Sequence, residues 1–359
     1  MDLVEFMNRI PSNTHEAVYR LDRPDLGLIG FIALHSTALG PAFGGTRVWS
    51  YANEDQALED VLRLSEGMSY KNAMADLNVG GGKAVLWIRD ESAPREAIFT
   101  AFGEAIECLN GLYMTAEDVG TSVNDMQIIR KRTRHVVGLP QQDGRAGGDP
   151  SPWTALGVFC AVQSALTFQD RVIKGTRIAV QGCGHVGQSL CELLFAAGAV
   201  LTVSDIRPER AQAMAKAYGA QVCDPDLIMS TEADLLAPCS LGAGLNNRSI
   251  PNIRAKIIVG AANNQLATPK DGLELNNSGV IYVPDYIANA GGIISAVSES
   301  QGDKVELVEQ RVRAIGNRVH DLLVKSKRYG RAPFQLADEM AKGILNEANI
   351  ERVAGRSIA

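Results

Sequence analysis

The segment Gln181-Gly182-Cys183-Gly184-His185-Val186-Gly187 constrains this chain more than any other. It is a G-x-G-x-x-G run, and its setting matters more than its glycines. A short apolar strand precedes it at 178–180, and a helical pattern starts at His185. Strand, glycine loop and helix in that order form the start of a dinucleotide-binding unit. Gly182 permits the tight turn, Gly184 lets backbone approach a pyrophosphate, and Gly187 lets helix and strand pack closely. Free N–H groups at the helix start face the phosphates. Val200–Ser204 reads as the next strand, and Asp205 follows it directly. An acid there binds the ribose hydroxyls of NAD and repels a 2′-phosphate. Arg207 keeps NADP open, because arginine receives that phosphate. The competing account is a set of ordinary tight-turn glycines with a capping aspartate.

The second half of the chain keeps this texture. Strands are expected at Arg177–Gln181, Val200–Ser204, 234–237, 256–260 and 280–283, with helices at 185–197 and Pro208–Tyr218. Such alternation predicts a parallel sheet with helices on both faces. Upstream, residues 138–152 (GLPQQDGRAGGDPSP) read as a linker. Ser151 as N-cap and Pro152 at the first helical position open the next helix. Before the linker, strands are expected at 27–34, 84–88 and 112–115. Helices are expected at 53–68, 93–109 and 123–131, the first capped by Asn53. The fold class is therefore α/β, in two domains that each hold a sheet flanked by helices, with a cleft between them. The second is a Rossmann-type doubly wound parallel sheet. The expected limits are 1–147 and 148–329, with the helices of about 330–359 folding back onto the first domain.

Composition narrows the function classes. Of 359 residues 46% are hydrophobic and 21% charged, enough for two cores and unlike a disordered chain. The net charge is -6 and the longest basic run is Arg130-Lys131-Arg132, so no stripe for nucleic acid is present. Cys108, Cys160, Cys183, Cys191, Cys223 and Cys239 form no C-x-x-C pair, and no metal site is expected. Scattered thiols fit small apolar fillers in a reducing cytoplasm. The start, Met1-Asp2-Leu3-Val4-Glu5, is unlike a signal peptide, and no uncharged apolar stretch approaches a membrane span.

Three side chains of the first domain stand out. Lys83 follows the triplet Gly80-Gly81-Gly82 and enters the apolar strand AVLWI. A glycine triplet lets backbone approach a ligand, and burial disfavours an ammonium's charge, which suits a general base. Lys71, placed after the helix of 53–68, can hold a carboxylate as a point charge. The alternative is two surface lysines snorkelling from element ends. Asp118, in TAEDVGT, follows a short strand, where site residues sit; it is otherwise a helix cap.

Eight stretches now occur in one order: LGPAFGGTR (39–47), GMSYKNA (67–73), GGGKAV (80–85), TAEDVGT (115–121), QGCGHVG (181–187), APCSLGA (237–243), ANNQL (262–266) and PDYIANAGG (284–292). Together they resemble the leucine/phenylalanine/valine branch of the amino-acid dehydrogenases, related to glutamate dehydrogenase. The resemblance implies NAD-dependent oxidative deamination of an L-amino acid to a 2-oxo acid and ammonia, and its reverse. It implies that Lys71 binds the α-carboxylate, that Lys83 activates the attacking water, and that Asp118 shuttles protons at the amino nitrogen. Gly44 and Gly45 would lie against the carboxylate end, and Asn263 where nicotinamide meets substrate. Cofactor contacts would come from Gly182, Cys183, Gly184, His185, Val186, Gly187, Asp205, Ile206, Cys239, Ala261 and Asn263. It also implies a homo-oligomer. A catalytically inactive NAD-binding regulator would have lost Lys71, Lys83 or Asp118, and all three are present.

The side-chain pocket follows from the same resemblance. Glutamate dehydrogenases carry a lysine in the motif matching GPAFGG and a serine past the NAGG motif; here Phe43 and Ala296 stand there. A buried γ-carboxylate would lack a partner, at a cost of several kcal/mol. The implied lining is Phe43, Gly44, Met68, Ala116, Ile293 and Ala296, so an apolar substrate is expected. Leucine and other branched-chain amino acids are favoured. Phenylalanine or another aromatic is the alternative, because Phe43 offers a stacking face while Ala296 opens space.

Overall fold

The structure is a computed structural model and describes residues 3–90, 92–141, 144–240 and 242–356. The chain start at Met1-Asp2, Gln142-Asp143 of the linker, Leu241 of APCSLGA and the last three residues of the tail lie outside the described residues. Two compact units emerge. The first comprises Met1–Gly148, Ala296–Val305 and Met340–Ala359, and the second Asp149–Ser295 and Glu306–Glu339.

In the first unit the strands are β1 (Met7–Ile10), β2 (Ala17–Arg23), β3 (Leu28–Ser36), β4 (Ala42–Phe43) and β5 (Thr46–Val48). Then come α1 (Glu54–Met74), β6 (Gly80–Ile88), α2 (Arg95–Cys108), β7 (Tyr113–Met114) and α3 (Val123–Arg130). Among the described residues the sheet order is β1-β2-β3-β6-β4-β7, with β5 also on β6. β1, β2, β3 and β6 run antiparallel; β4 and β5 pair parallel with β6. The apolar run of β3 suits a central strand. One sheet face packs Leu28, Ile32, Leu86, Phe99, Phe102 and Tyr113, and the other Phe31, Val61 and Val85.

Three local expectations need correction. Helix α1 continues to Met74, so Lys71 lies in its last turn and not after it. The Asn53 side chain caps α1 by accepting from the Gln56 N–H at 2.9 Å. Strand β6 begins at Gly80, so the glycine triplet is itself strand and Lys83 is an interior residue. The triplet serves packing within the protein. A Cβ at Gly80 would meet Ser36 O at 2.0 Å, and one at Gly81 would meet Ser69 Oγ at 2.1 Å. Ser151 is the first residue of the next helix and not its cap; its N–H donates to Asp149 Oδ1 at 2.9 Å.

The second unit contains α4 (Ser151–Thr167), β8 (Arg177–Gln181), α5 (His185–Ala196), β9 (Val200–Ser204), α6 (Pro208–Tyr218), β10 (Gln221–Val222), β11 (Leu235–Pro238), β12 (Ile257–Ile258), α7 (Pro269–Asn277), β13 (Ile281–Tyr282) and α8 (Asp285–Ala288). Helices α9 (Gly291–Gln301), α10 (Val305–Arg313), α11 (Ile315–Tyr329) and α12 (Pro333–Arg356) follow. The sheet order is β10-β9-β8-β11-β12-β13, every pairing parallel. Counted from β8 this is 3-2-1-4-5-6, the doubly wound order. The order reverses between β8 and β11, whose carboxyl ends meet at Gln181 and Pro238. Ligands of such sheets bind outside that point.

Candidate active site

In the first unit the fold gathers charges around Asp118. Lys83 is only 5% exposed, and its Nζ lies 2.9 Å from Asp118 Oδ2. Arg47 donates from Nε to the same oxygen at 3.1 Å. Burial alone would raise the Asp118 carboxyl. The cations of Lys83 and Arg47 outweigh it and hold the group at about 2. Arg47 also donates from Nη1 to Asp60 Oδ2 at 3.1 Å, and the Tyr51 hydroxyl donates there at 2.7 Å. Asp118 is not a helix cap: Ser122 and Asp125 form the capping box of α3.

Neighbouring backbone fixes this cluster. Tyr113 donates from its hydroxyl to Gly44 O at 2.6 Å, and Thr46 and Thr115 join their hydroxyls at 2.6 Å. The Asp118 N–H donates to Thr121 Oγ1 at 2.9 Å. A side chain at Gly45 would collide with Glu117 O at 2.5 Å, so only glycine admits the Asp118 loop here. A Cβ at Gly44 would meet Gly82 O at 1.9 Å and Met68 Cγ at 3.1 Å. Gly44, Gly45, Met68, Lys83 and Asp118 therefore share one neighbourhood. Lys71 is half-buried at the end of α1, where Asn72 donates to Gly80 O at 2.6 Å. Phe43 is buried on β4, and Ala116 is half-buried beyond β7. Ala296 is on α9 within the first unit; Ile293 and Asn263 belong to the second.

The glycine loop occupies the reversal point of the second unit. Gly182 has φ +96°, which a side chain would strain. A Cβ at Gly187 would sit 2.0 Å from Gly182 O. At Gly184 a Cβ would meet only Arg210 Nη1, at 3.9 Å. Open space therefore remains beside the start of α5, where His185 and Val186 form the first turn. That space suits a pyrophosphate. Asp205 closes the loop from β9: its carboxylate accepts from the N–H of Cys183 at 2.7 Å and of Arg207 at 2.8 Å. Ile206 beside it is 85% exposed. Asn289 holds the far end, donating to Ala261 O at 3.0 Å and Asn263 Oδ1 at 2.8 Å. Burial pushes the Cys183 thiol up to about 11 and the Cys239 thiol up to about 12, as for uncharged fillers. Among the described residues no group of three metal-ligating side chains occurs, and no helix is long and apolar enough to cross a membrane.

Sequence reasoning missed Arg47, Asp60, Tyr51 and Asn289. Arg47 and Asn289 lie inside stretches already singled out, LGPAFGGTR and PDYIANAGG. Asp60 and Tyr51 carry no local signal.

A doubly wound unit with an open glycine loop, in the same chain as a unit with a buried lysine–aspartate pair, defines a dehydrogenase that uses a nicotinamide cofactor. The description "Glu/Leu/Phe/Val dehydrogenase, dimerisation domain" matches residues 15–135. "Glutamate/Leucine/Phenylalanine/Valine dehydrogenase" matches 149–208 and 207–353. The chain belongs to the Glu/Leu/Phe/Val dehydrogenase family and is an amino-acid dehydrogenase. It is 42% identical over 355 residues to leucine dehydrogenase of Bacillus subtilis (strain 168), covering 98% of this chain and 95% of that protein. It is 41% identical over 308 residues to phenylalanine dehydrogenase of Lysinibacillus sphaericus, covering 84% and 81%. The crystal structure of L-tryptophan dehydrogenase from Nostoc punctiforme superposes with a TM-score of 0.82 at 36% identity, covering 93% of this chain and 97% of that one.

Proposed function

We propose that this chain catalyses NAD-dependent oxidative deamination of an apolar L-amino acid, branched-chain substrates first. The products are the 2-oxo acid, ammonium, NADH and a proton. The observation that carries this reading is the contact of Lys83 Nζ with Asp118 Oδ2 at 2.9 Å on a lysine 5% exposed. A proton moves between two such groups without rearrangement. Lys71 holds the α-carboxylate as a point charge, with Gly44 and Gly45 giving it room. Asp118 takes and returns the proton of the amino nitrogen. Lys83 removes the proton of the water that attacks the imine carbon, and its charge steadies the resulting oxyanion. Gly182, Cys183, Gly184, His185, Val186 and Gly187 hold the pyrophosphate. Asp205 takes the ribose hydroxyls, Ile206 offers an apolar face to the adenine, and Cys239, Ala261 and Asn263 line the nicotinamide end. When bound, the nicotinamide accepts the hydride of the substrate α-carbon.

The substrate class rests on the apolar set Phe43, Gly44, Met68, Ala116, Ile293 and Ala296, together with the leucine dehydrogenase relative. A second reading, an aromatic amino acid, is favoured by Phe43 and by the likeness to L-tryptophan dehydrogenase. NAD over NADP rests on the carboxylate of Asp205, which repels a 2′-phosphate. A homo-oligomer is supported by the match to a dimerisation domain. A cytoplasmic setting is supported by six unpaired cysteines. The deciding assay is NADH production from a panel of L-amino acids at alkaline pH. Leucine, valine and isoleucine fastest supports the first reading; phenylalanine or tryptophan fastest supports the second; no turnover of any refutes both. Lys83→Ala is expected to abolish turnover while NADH still binds, and near-normal turnover would sink its assignment.

A further inference from the structure

Among the described residues Asp118 offers one of its side-chain oxygens to the protein. Oδ2 receives both cations, Lys83 Nζ at 2.9 Å and Arg47 Nε at 3.1 Å. Among the described residues no protein hydrogen bond reaches Oδ1. Arg47 is itself gripped from behind. It sits on β5, where its backbone lies opposite Val85 of β6, and its Nη1 donates to Asp60 Oδ2. Asp60, on α1, has both oxygens occupied: Tyr51 holds Oδ2 at 2.7 Å and Arg63 holds Oδ1 at 2.8 Å. The side chains of Arg47 and Asp60 are 20% and 16% exposed, so water screens the pair weakly. A planar guanidinium spanning two fixed carboxylates has little freedom to turn.

We propose that Arg47, braced by Asp60 and Tyr51, is a positioning residue that holds Asp118 by Oδ2 so that Oδ1 faces the amino nitrogen of the substrate. This rests on the assignment of Asp118 as the proton carrier. Without Arg47 the carboxylate is free to rotate onto Lys83 with both oxygens, and neither is then reserved for the substrate. Among the described residues the charged groups facing Asp118 are Lys83 from β6 and Arg47 from β5, with Asp60 and Arg63 of α1 behind Arg47, and the titratable hydroxyls of Tyr113 on β7 and Tyr51 also feel its charge. Removing one cation from this set makes the remaining lysine–aspartate pair hold its proton more tightly.

The test compares Arg47→Met, Arg47→Lys and Asp60→Asn in the full chain, reading kcat, KM and the pH profile of kcat/KM for the best amino acid of the panel. Arg47→Met is expected to lower kcat by about 10²–10³-fold, the range of a misplaced acid–base group, with KM within about threefold. The rising limb of its kcat/KM profile is expected to move to higher pH. Arg47→Lys keeps the charge but cannot span both carboxylates, so the limb stays in place while kcat falls. Asp60→Asn is expected to follow Arg47→Met more weakly. The proposal is overturned if Arg47→Met keeps wild-type kcat. It is equally overturned if all three variants lose activity only in proportion to lost thermal stability, with the limb unmoved in each. If Arg47→Met does not fold, Arg47→Lys and Asp60→Asn decide alone. Asp118→Asn, assayed in parallel, separates the two assignments. Wild-type turnover in Asp118→Asn removes the proton carrier itself, whereas a dead Asp118→Asn beside an active Arg47→Met removes only the positioning role.

Discussion

At the residue scale, Asp118 carries the sharpest expectation. Its carboxyl is held at about 2 in the folded chain, below the ordinary value of 3.8. A lowered acid contributes stability that is complete above its unfolded value and lost as pH falls through its folded one. The shift corresponds to about 2 kcal/mol, lost between about pH 4 and pH 2. Urea unfolding across that window is expected to be steeper in pH for the wild type than for Asp118→Asn; equal slopes would mean the ion cluster adds nothing. Asp205 gives a second test. Its carboxylate ties down the loop at Cys183, so Asp205→Ala is expected to weaken NADH binding and to raise NADPH use relative to NADH. An unchanged ratio would mean that Asp205 does not read the ribose. Lys71, Lys83 and Asp118 stood out as candidates because each stands in a distinctive local stretch. Arg47 was not legible as a partner of Asp118, since it meets Asp118 across 71 residues of sequence, and only the fold reveals such a pair.

At the element scale, legibility followed length and periodicity. Helices α1, α2, α5 and α6 and strands β3, β8 and β9 show strong periodicity or unbroken apolar runs. Of the two-residue strands, β7, β12 and β13 fall inside the strands expected at 112–115, 256–260 and 280–283, whereas β4 and β10 owe their existence to neighbours in the sheet and leave almost no pattern. β1 and β2 escaped notice because their apolar runs are short: two polar residues separate Met7 from Ile10 in MNRI, and AVYRLDR turns charged after Tyr19. The glycine loop was legible because its residues answer to backbone geometry, which is local. Gly187 shows how strict that geometry is: one methyl group there would sit 2.0 Å from Gly182 O. Gly187→Ala must push α5 away from β8, spoiling the loop that the helix start completes. NADH titration by fluorescence is expected to show affinity reduced by at least about tenfold, the scale of 1.4 kcal/mol. Wild-type affinity would mean that the loop relaxes freely and that its spacing does not set binding.

At the scale of the whole molecule, the first unit is assembled from separated stretches of chain. Gly147 and Gly148, both at positive φ, precede the first crossing, and the later crossings fall near or inside helices. Helices α9 and α12 each contain residues of both units, and a boundary inside a continuous helix leaves no glycine or proline to mark it. The tertiary contacts explain why the end of α12 belongs with the beginning of the chain. Arg352 donates to Thr37 Oγ1 at 2.6 Å and to Glu16 Oε1 at 3.2 Å, and Lys342 Nζ stands 5.8 Å from the centre of the Tyr70 ring. Tyr70 adjoins Lys71 on α1, so the last helix braces the helix that carries Lys71. Deleting residues from 340 onward removes this brace and, with it, the buried side chain of Leu345, which is 8% exposed in the intact fold. The second unit keeps every strand of its parallel sheet in such a chain. A chain of two compact units need not unfold in one step, so each unit is followed by its own probe. Saturating NADH is expected still to raise the unfolding temperature of the second unit, because a ligand stabilises whatever folded unit it binds. The first unit is expected to melt earlier, and amino-acid turnover to vanish. Wild-type turnover in the truncated chain would show that the first unit stands without its last helix.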